Sequence, residues 1–309
     1  MRILILGAGA TGGYFGGRLA ESGADVTFMV RPARAARIAS DGLRIRSPEG
    51  DFHGPVATVT AETSAAPYDL ILLSCKAYDL DQAIAAITPA VGVGSTILPL
   101  LNGLNHFERL DAAFGAERVL GGLCHIAATL DADGTVLHTN RLHSLTFGER
   151  TGGTSARVES IAGIFAAARF ASRVSPDVTQ DSWEKFAFLT ALAASTCLMR
   201  ANVGAIVSTR DGDAIIRELF DECQAVAAAF GRPMRPKPIE NGLAYLTGPG
   251  TDSTASMMRD IEAGQRVEAN HIVGDLLRRA ESKGLKTPLL RVAFCHLQSY
   301  EARQRAAAA

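Results

Sequence analysis

The chain carries almost no net charge: 31 basic residues stand against 32 acidic ones, leaving −1 at neutral pH. That balance creates no broad field of the kind that draws a protein to nucleic acid or to an anionic membrane. Cysteine is scarce and scattered. Cys75, Cys124, Cys197, Cys223 and Cys295 form no C-x-x-C pair and no cluster with histidine. This spacing argues against a disulfide framework or a zinc site, so no metal is expected, and it suits reduced thiols in a cytoplasmic protein. Apolar runs are short; the longest, Phe186 to Met199, fits a buried helix better than a membrane span. With a first strand already under way at Ile3, a signal peptide is not expected.

What the sequence does contain begins at once. Ile3-Leu4-Ile5-Leu6 leads into Gly7-Ala8-Gly9-Ala10-Thr11-Gly12, and a second apolar run, Val26 to Val30, ends in Arg31. Strand, glycine turn, helix and strand in this order make half of a dinucleotide-binding unit. Gly7 allows a tight turn, Gly9 lets backbone approach a pyrophosphate, and Gly12 lets the helix lie close to the strand. The helix N-terminus, with unsatisfied N–H groups and a favourable dipole, would face the phosphates. A glycine-rich turn that binds no nucleotide is the plain alternative. At the end of the second strand an NAD site usually offers an acid to the ribose 2′-hydroxyl, whereas an arginine suits a 2′-phosphate. Arg31, with Arg34 and Arg37 one and two helical turns beyond, therefore favours NADP, unless all three are solvated arginines on a surface helix.

At 309 residues two domains are expected. Alternating strands and helices run to about residue 150, including strands at Asp69–Ser74 and Ser95–Leu101, which predicts a doubly wound, mainly parallel sheet. Asp133-Gly134 and Asn140-Arg141 read as hairpin turns in an antiparallel extension. Past Gly152-Gly153 helical periodicity takes over, with helices expected over 156–168, 178–199, 211–230, 238–246, 256–264, 268–283 and 289–303. The reading is an α/β fold: a Rossmann domain over 1–175 and an all-α domain over 176–309.

Ligands of open α/β sheets bind beyond the carboxyl ends of the strands. Lys76 and Asn102 stand at two such ends, suited to coenzyme or substrate or to a loop without ligand. Lys185 follows Trp183-Glu184 and precedes an apolar stretch, so it either snorkels or serves a pocket. In a pocket, desolvation would lower its pKa toward the range useful for proton transfer. Ser256 and Asp260 would share one face of a helix, and Glu268 follows in a run that reads equally well as a solvated surface.

Taken together, Gly7 to Gly12, Arg31, Lys76, Asn102-Gly103, Trp183-Glu184-Lys185, Ser256-Met257-Met258-Arg259-Asp260 and Glu268 resemble the ketopantoate reductase (2-dehydropantoate 2-reductase) family. The likeness extends from Met1 to about Tyr300. It implies an N-terminal Rossmann domain that holds NADPH and a helical domain that closes over a small 2-oxo acid, in a cytoplasmic enzyme of pantothenate biosynthesis and a possible homodimer. The resemblance assigns Gly7, Ala8, Gly9, Ala10, Thr11, Gly12, Arg31 and Lys76 to the coenzyme, and Asn102 to both coenzyme and substrate. Lys185 matches the general acid, Ser256 a contact to the substrate carboxylate, and Glu268 a supporting acid. One departure stands out: members of the family carry asparagines one and two turns after the lysine, where this chain has Leu189 and Ala193. That leaves open a bulkier or more apolar carbonyl substrate. A non-catalytic NADP(H) sensor is a third reading, although it would need only the nucleotide turn.

Overall fold

The computed structural model describes residues 1–63 and 67–308. Contacts divide the chain into two units: Met1–Leu101 with His106–Thr179, and Asn102–Asn105 with Gln180 onward. The division falls in the first turn of a long helix, and the short Asn102–Asn105 segment groups with the second unit.

The first unit runs β1 (Ile3–Leu6), α1 (Ala10–Glu21), β2 (Val26–Met29), α2 (Pro32–Asp41), β3 (Leu43–Arg46), β4 (Phe52–Gly54), β5 (Ala57–Val59), β6 (Tyr68–Leu73), α3 (Leu80–Ile87), β7 (Val91–Pro99), α4 (His106–Phe114), β8 (Gly121–Leu130), β9 (Val136–Gly148), α5 (Ala156–Ala166) and β10 (Ala171–Val174). Five strands form one sheet in the order β5-β2-β1-β6-β7, and every neighbouring pair is parallel. This is a Rossmann-type sheet. Its strands read as continuous apolar runs because both faces are covered. Ile3, Ile5, Phe28, Leu70 and Leu72 join one core with Tyr14 and Phe15 of α1. Leu4, Met29, Ile71 and Leu73 join another with Leu80 and Ile87 of α3 and Leu110 and Phe114 of α4.

A second sheet runs β10-β9-β3-β4, with β8 antiparallel to β9. It is mixed rather than a simple antiparallel extension, since β3 and β10 both lie parallel to β9. Asp133-Gly134 does form the β8–β9 hairpin, closed by Asp131 N–H to Thr135 O and Gly134 N–H to Asp131 O, each 2.9 Å. Asn140-Arg141 does not form a hairpin. It lies inside β9, where the register against β8 slips, and Asn140 Oδ1 accepts from Leu142 N at 3.1 Å. The asparagine makes the local turn that its side chain favours, but the strand continues through it.

The second unit is helical: α6 (Val178–Met199), α7 (Val203–Val207), α8 (Gly212–Ala229), α9 (Pro236–Leu246), α10 (Ser256–Glu262), α11 (Val273–Ser282) and α12 (Pro288–Ala308), with no strand among its described residues. α8 packs on α7, α9, α11 and α12. Sequence periodicity overlooks α7, a single turn or so, which Asn202 caps by accepting from Ala205 N at 2.7 Å. It also starts α11 too early. The Glu268 carbonyl accepts from both His271 N and Ile272 N, so a compact turn occupies residues 268–272 and the helix begins at Val273. Among the described residues no helix is long and apolar enough to cross a membrane, and no group of His, Cys, Asp or Glu has the clustering to hold a metal ion.

Gly16 shows how tightly α1 meets the sheet. A Cβ there would stand 2.7 Å from Phe28 Cζ and 2.8 Å from Ile5 Cγ1, both on fully buried side chains. Gly16→Ala should therefore destabilise the first unit by about 1–3 kcal/mol, the usual cost of overpacking. The expected reading is a lower urea midpoint at an unchanged slope.

Candidate active site

The glycine turn lies between β1 and α1. Gly7 has φ +90°, a conformation that side chains rarely adopt. A Cβ at Gly12 would collide with Ser74 Oγ and the Gly7 carbonyl, so only glycine lets α1 start this close to β1 and β6. Ser74 itself donates to Leu6 O at 3.0 Å and ties the ends of those two strands together. At Gly9 the situation reverses: a Cβ would meet nothing within 4 Å. The backbone there borders open space, room for a ligand to come close. Gly9 caps α1 without a side-chain hydrogen bond, and no acid lies in the first turn formed by Ala10, Thr11 and Gly12. An anion would find uncontested N–H groups and the positive end of the helix dipole. These features fit a dinucleotide pyrophosphate.

Arg31 follows β2 as the N-cap of α2, with 82 % of its side chain exposed. Its nearest carboxylate is Asp79 at 3.9 Å, in the short turn Ala77–Asp79 that Lys76 opens at the end of β6. An exposed guanidinium held by so loose a pair is free to take a phosphate. Lys76 is half-buried at the same strand end.

In the second unit, Lys185 is half-buried on α6 and its Nζ donates to Asn102 Oδ1 at 3.2 Å. Gly103, at φ +82°, continues the Asn102 turn; a Cβ on it would lie 2.9 Å from the His271 carbonyl and 3.8 Å from Phe186. His271 closes the turn begun by Glu268, whose side chain is buried. Three expected site residues are thus gathered: Asn102 and Lys185 in direct contact, and Glu268 in the turn that packs on Gly103. Ser256 is placed differently. It opens α10 just after Ala255, whose N–H donates to Thr196 Oγ1 at 3.4 Å, about three turns along α6 from Lys185. A half-buried ammonium with an amide oxygen partner can stabilise negative charge forming on a carbonyl oxygen and then protonate it.

Known proteins fit this arrangement. A family model described as "Ketopantoate reductase PanE/ApbA" matches residues 3–152, and one for the C-terminal part of the same family matches residues 177–301. The "Uncharacterized oxidoreductase YkpB" of Bacillus subtilis is 36% identical over 98% of this chain and 100% of its own. A 2-dehydropantoate 2-reductase of Halobacterium salinarum is 27% identical over 94% of this chain and 96% of its own. The crystal structure of a PanE/ApbA family ketopantoate reductase from Ralstonia eutropha superposes with a TM-score of 0.89 at 26% identity, covering 99% of this chain and 100% of that one. The chain belongs to the ketopantoate reductase family. It is an NAD(P)-dependent oxidoreductase.

In this family member, the two positions one and two turns beyond Lys185 on α6 are apolar. Leu189 is half-buried and Ala193 is buried. What steadies Lys185 on the other side was not legible from motifs. Glu184 and Asp181 are buried carboxylates that share Arg235. Arg235 donates to Glu184 from its backbone N at 2.9 Å, from Nε at 2.8 Å and from Nη2 at 2.5 Å, and to Asp181 as well. Gln180 adds a bond to Glu184 at 3.0 Å and one to Pro233 O at 2.9 Å. Burial pushes the Glu184 carboxyl up, but the bonds from the Arg235 side chain, the Arg235 backbone and Gln180 outweigh it and hold the group below its ordinary value. Trp183 completes the anchor by stacking on Phe230 at 5.2 Å.

A carboxylate whose folded pKa is depressed stabilises the fold above its unfolded pKa and loses that contribution as pH falls through the folded one. Arg235→Met should cost about 1–2 kcal/mol at pH 7, because it removes a half-exposed cation from two buried carboxylates and solvent screens part of the loss. The gap between variant and wild type should narrow as the pH drops through and below the ordinary carboxylate range. Urea unfolding at several pH values measures this, and a gap that stays constant would contradict the role given to Glu184.

Proposed function

We propose that this enzyme reduces a 2-oxo acid to the 2-hydroxy acid with NADPH, and that ketopantoate is the substrate. The observation that carries the reading is the hydrogen bond from Lys185 to Asn102, at the point where α6 passes from a polar first turn and a half into a mainly apolar run. Lys185 is the general acid: its ammonium stabilises the developing alkoxide and hands it a proton, while Asn102 holds the donor in one orientation. Glu268 supports this pair from its own turn, and Ser256 takes the substrate carboxylate. Gly7 to Gly12 hold the pyrophosphate, Arg31 the 2′-phosphate, and Lys76 a further part of the coenzyme. When bound, the nicotinamide supplies the hydride for the substrate carbon.

A second reading has an observation of its own. Leu189 and Ala193 offer no hydrogen-bonding group, and a wall without polar partners rejects an analogue lacking a hydroxyl far less strongly than one built to bind it. On that ground a bulkier or more apolar 2-oxo acid is the alternative substrate. The proposal includes a cytoplasmic location and a homodimer, and it extends to pantothenate biosynthesis if ketopantoate is preferred.

The deciding assay follows NAD(P)H absorbance over a panel of 2-oxo acids and simple ketones. Highest kcat/KM for ketopantoate supports the first reading; a higher value for an apolar 2-oxo acid supports the second. Lys185→Ala should lower kcat roughly a hundredfold or more while leaving NADPH affinity nearly unchanged. Near-normal turnover would remove Lys185 from its role. Arg31→Ala should weaken NADPH about tenfold and NADH hardly at all, since only NADPH has a 2′-phosphate to lose. Equal weakening of the two would make Arg31 a structural residue.

A further inference from the structure

Arg34 lies one turn into α2, where sequence alone suggests a second exposed cation beside Arg31. It is instead half-buried, and one of its nitrogens, Nη2, donates to two backbone carbonyls: Ala8 in the glycine turn at 3.2 Å and Gly134 in the β8–β9 hairpin at 2.8 Å. Its Nε is buried without a hydrogen-bond partner. Its Nη1 packs on Gly134 so closely that a Cβ there would run into it. Nη2 is thus engaged by two backbone carbonyls, and the burial of Nε and the packing of Nη1 on Gly134 fix the guanidinium between the glycine turn and the hairpin. Burial, and then Arg37 and Arg44, press its pKa below the ordinary arginine value, so the position is costly for a cation.

The Ala8 carbonyl explains what that position achieves. A trans peptide directs its C=O and its N–H in opposite senses. Holding the Ala8 oxygen therefore fixes the Gly9 N–H pointing the other way, and Gly9 is the cap of α1, the residue that borders open space. We infer that Arg34 is a positioning residue for the pyrophosphate-binding peptide Ala8–Gly9, acting alike on both coenzymes, and not a ligand of the 2′-phosphate. This rests on the reading that the glycine turn holds the coenzyme.

The test compares dissociation constants of NADPH and NADH, by fluorescence titration, in the wild type and three variants. Arg34→Met removes the donor. Gly134→Ala keeps Arg34 but displaces its guanidinium, both by contact and by straining the hairpin backbone at φ +80°. Arg44→Met removes a neighbouring cation that donates to Asp133 O at 3.4 Å in the same hairpin and has no bond to the glycine turn. Arg34→Met should weaken both coenzymes by about tenfold, with their ratio unchanged. Gly134→Ala should weaken both by a smaller common factor, and Arg44→Met should change the NADH constant by less than about twofold. Selective loss of NADPH in Arg34→Met would make the residue a phosphate ligand and overturn the inference. So would unchanged affinities, or an equal loss in Arg44→Met, which would point to the general field of the arginines. Should Arg34→Met fail to fold, the Gly134→Ala and Arg44→Met pair decides by the same criteria. A wild type that binds neither coenzyme would instead refute the reading of the turn itself.

Discussion

An ammonium partly withdrawn from water needs an oxygen within reach, and the segments on either side of Lys185 and Asn102 are held in place around that pair. Asn102 supplies the oxygen for Lys185. The asparagine can do so because Gly103 turns the chain at positive φ and lies directly on the His271 carbonyl, a contact no other residue type would allow without a shift. The lysine, for its part, is held by what precedes it. Glu184 and Asp181 are locked to Arg235, so the helix has little freedom to rotate under its functional side chain. Each partner of the one hydrogen bond is fixed by a separate structural device.

The first unit faces the opposite problem if its glycine turn takes the coenzyme as proposed, since such a turn must keep its N–H groups unspent. Side chains take none of the donors at the start of α1. The carbonyls of the same turn are engaged instead, Ala8 by Arg34, while Leu6 just before it accepts from Ser74. Satisfying the acceptors while sparing the donors leaves a turn that is rigid before any ligand arrives. Preorganisation of this kind reduces the ordering cost that binding must meet.

How much of this the amino-acid sequence reveals follows from distance along the chain. The β1–α1–β2 segment is legible because its strand, turn and helix signals are contiguous. Local signals also locate the β8–β9 hairpin. They fail at Asn140, whose turn chemistry is real but is absorbed as an irregularity inside β9. They fail too at β3, β5 and β10, strands of three or four residues that pair with partners well away along the chain, and at β4, which is a three-residue edge strand on β3. The candidate site is divided in the same way. Lys185 and Asn102 carry signals of their own at a helix start and a strand end, yet their contact joins residues 83 apart. Glu184 and Arg235, 51 apart, and Arg34 and Gly134, 100 apart, carry no local mark of the pairings they make. Only the fold makes them specific.

The same division bears on substrate choice. Proton donation needs one well-placed group, the role proposed for Lys185 with its Asn102 partner. Discrimination among 2-oxo acids needs further groups that would be left unpaired by the wrong molecule. Along α6 those positions are Leu189 and Ala193, which lose nothing when a hydroxyl is missing and gain by contact with apolar carbon. A chain can therefore keep the reductive chemistry of its family while relaxing or redirecting its selectivity, because the two properties reside on different turns of one helix. In this chain the turn of the proposed proton donor is polar, and the turns that would read the rest of the substrate under that proposal carry Leu189 and Ala193.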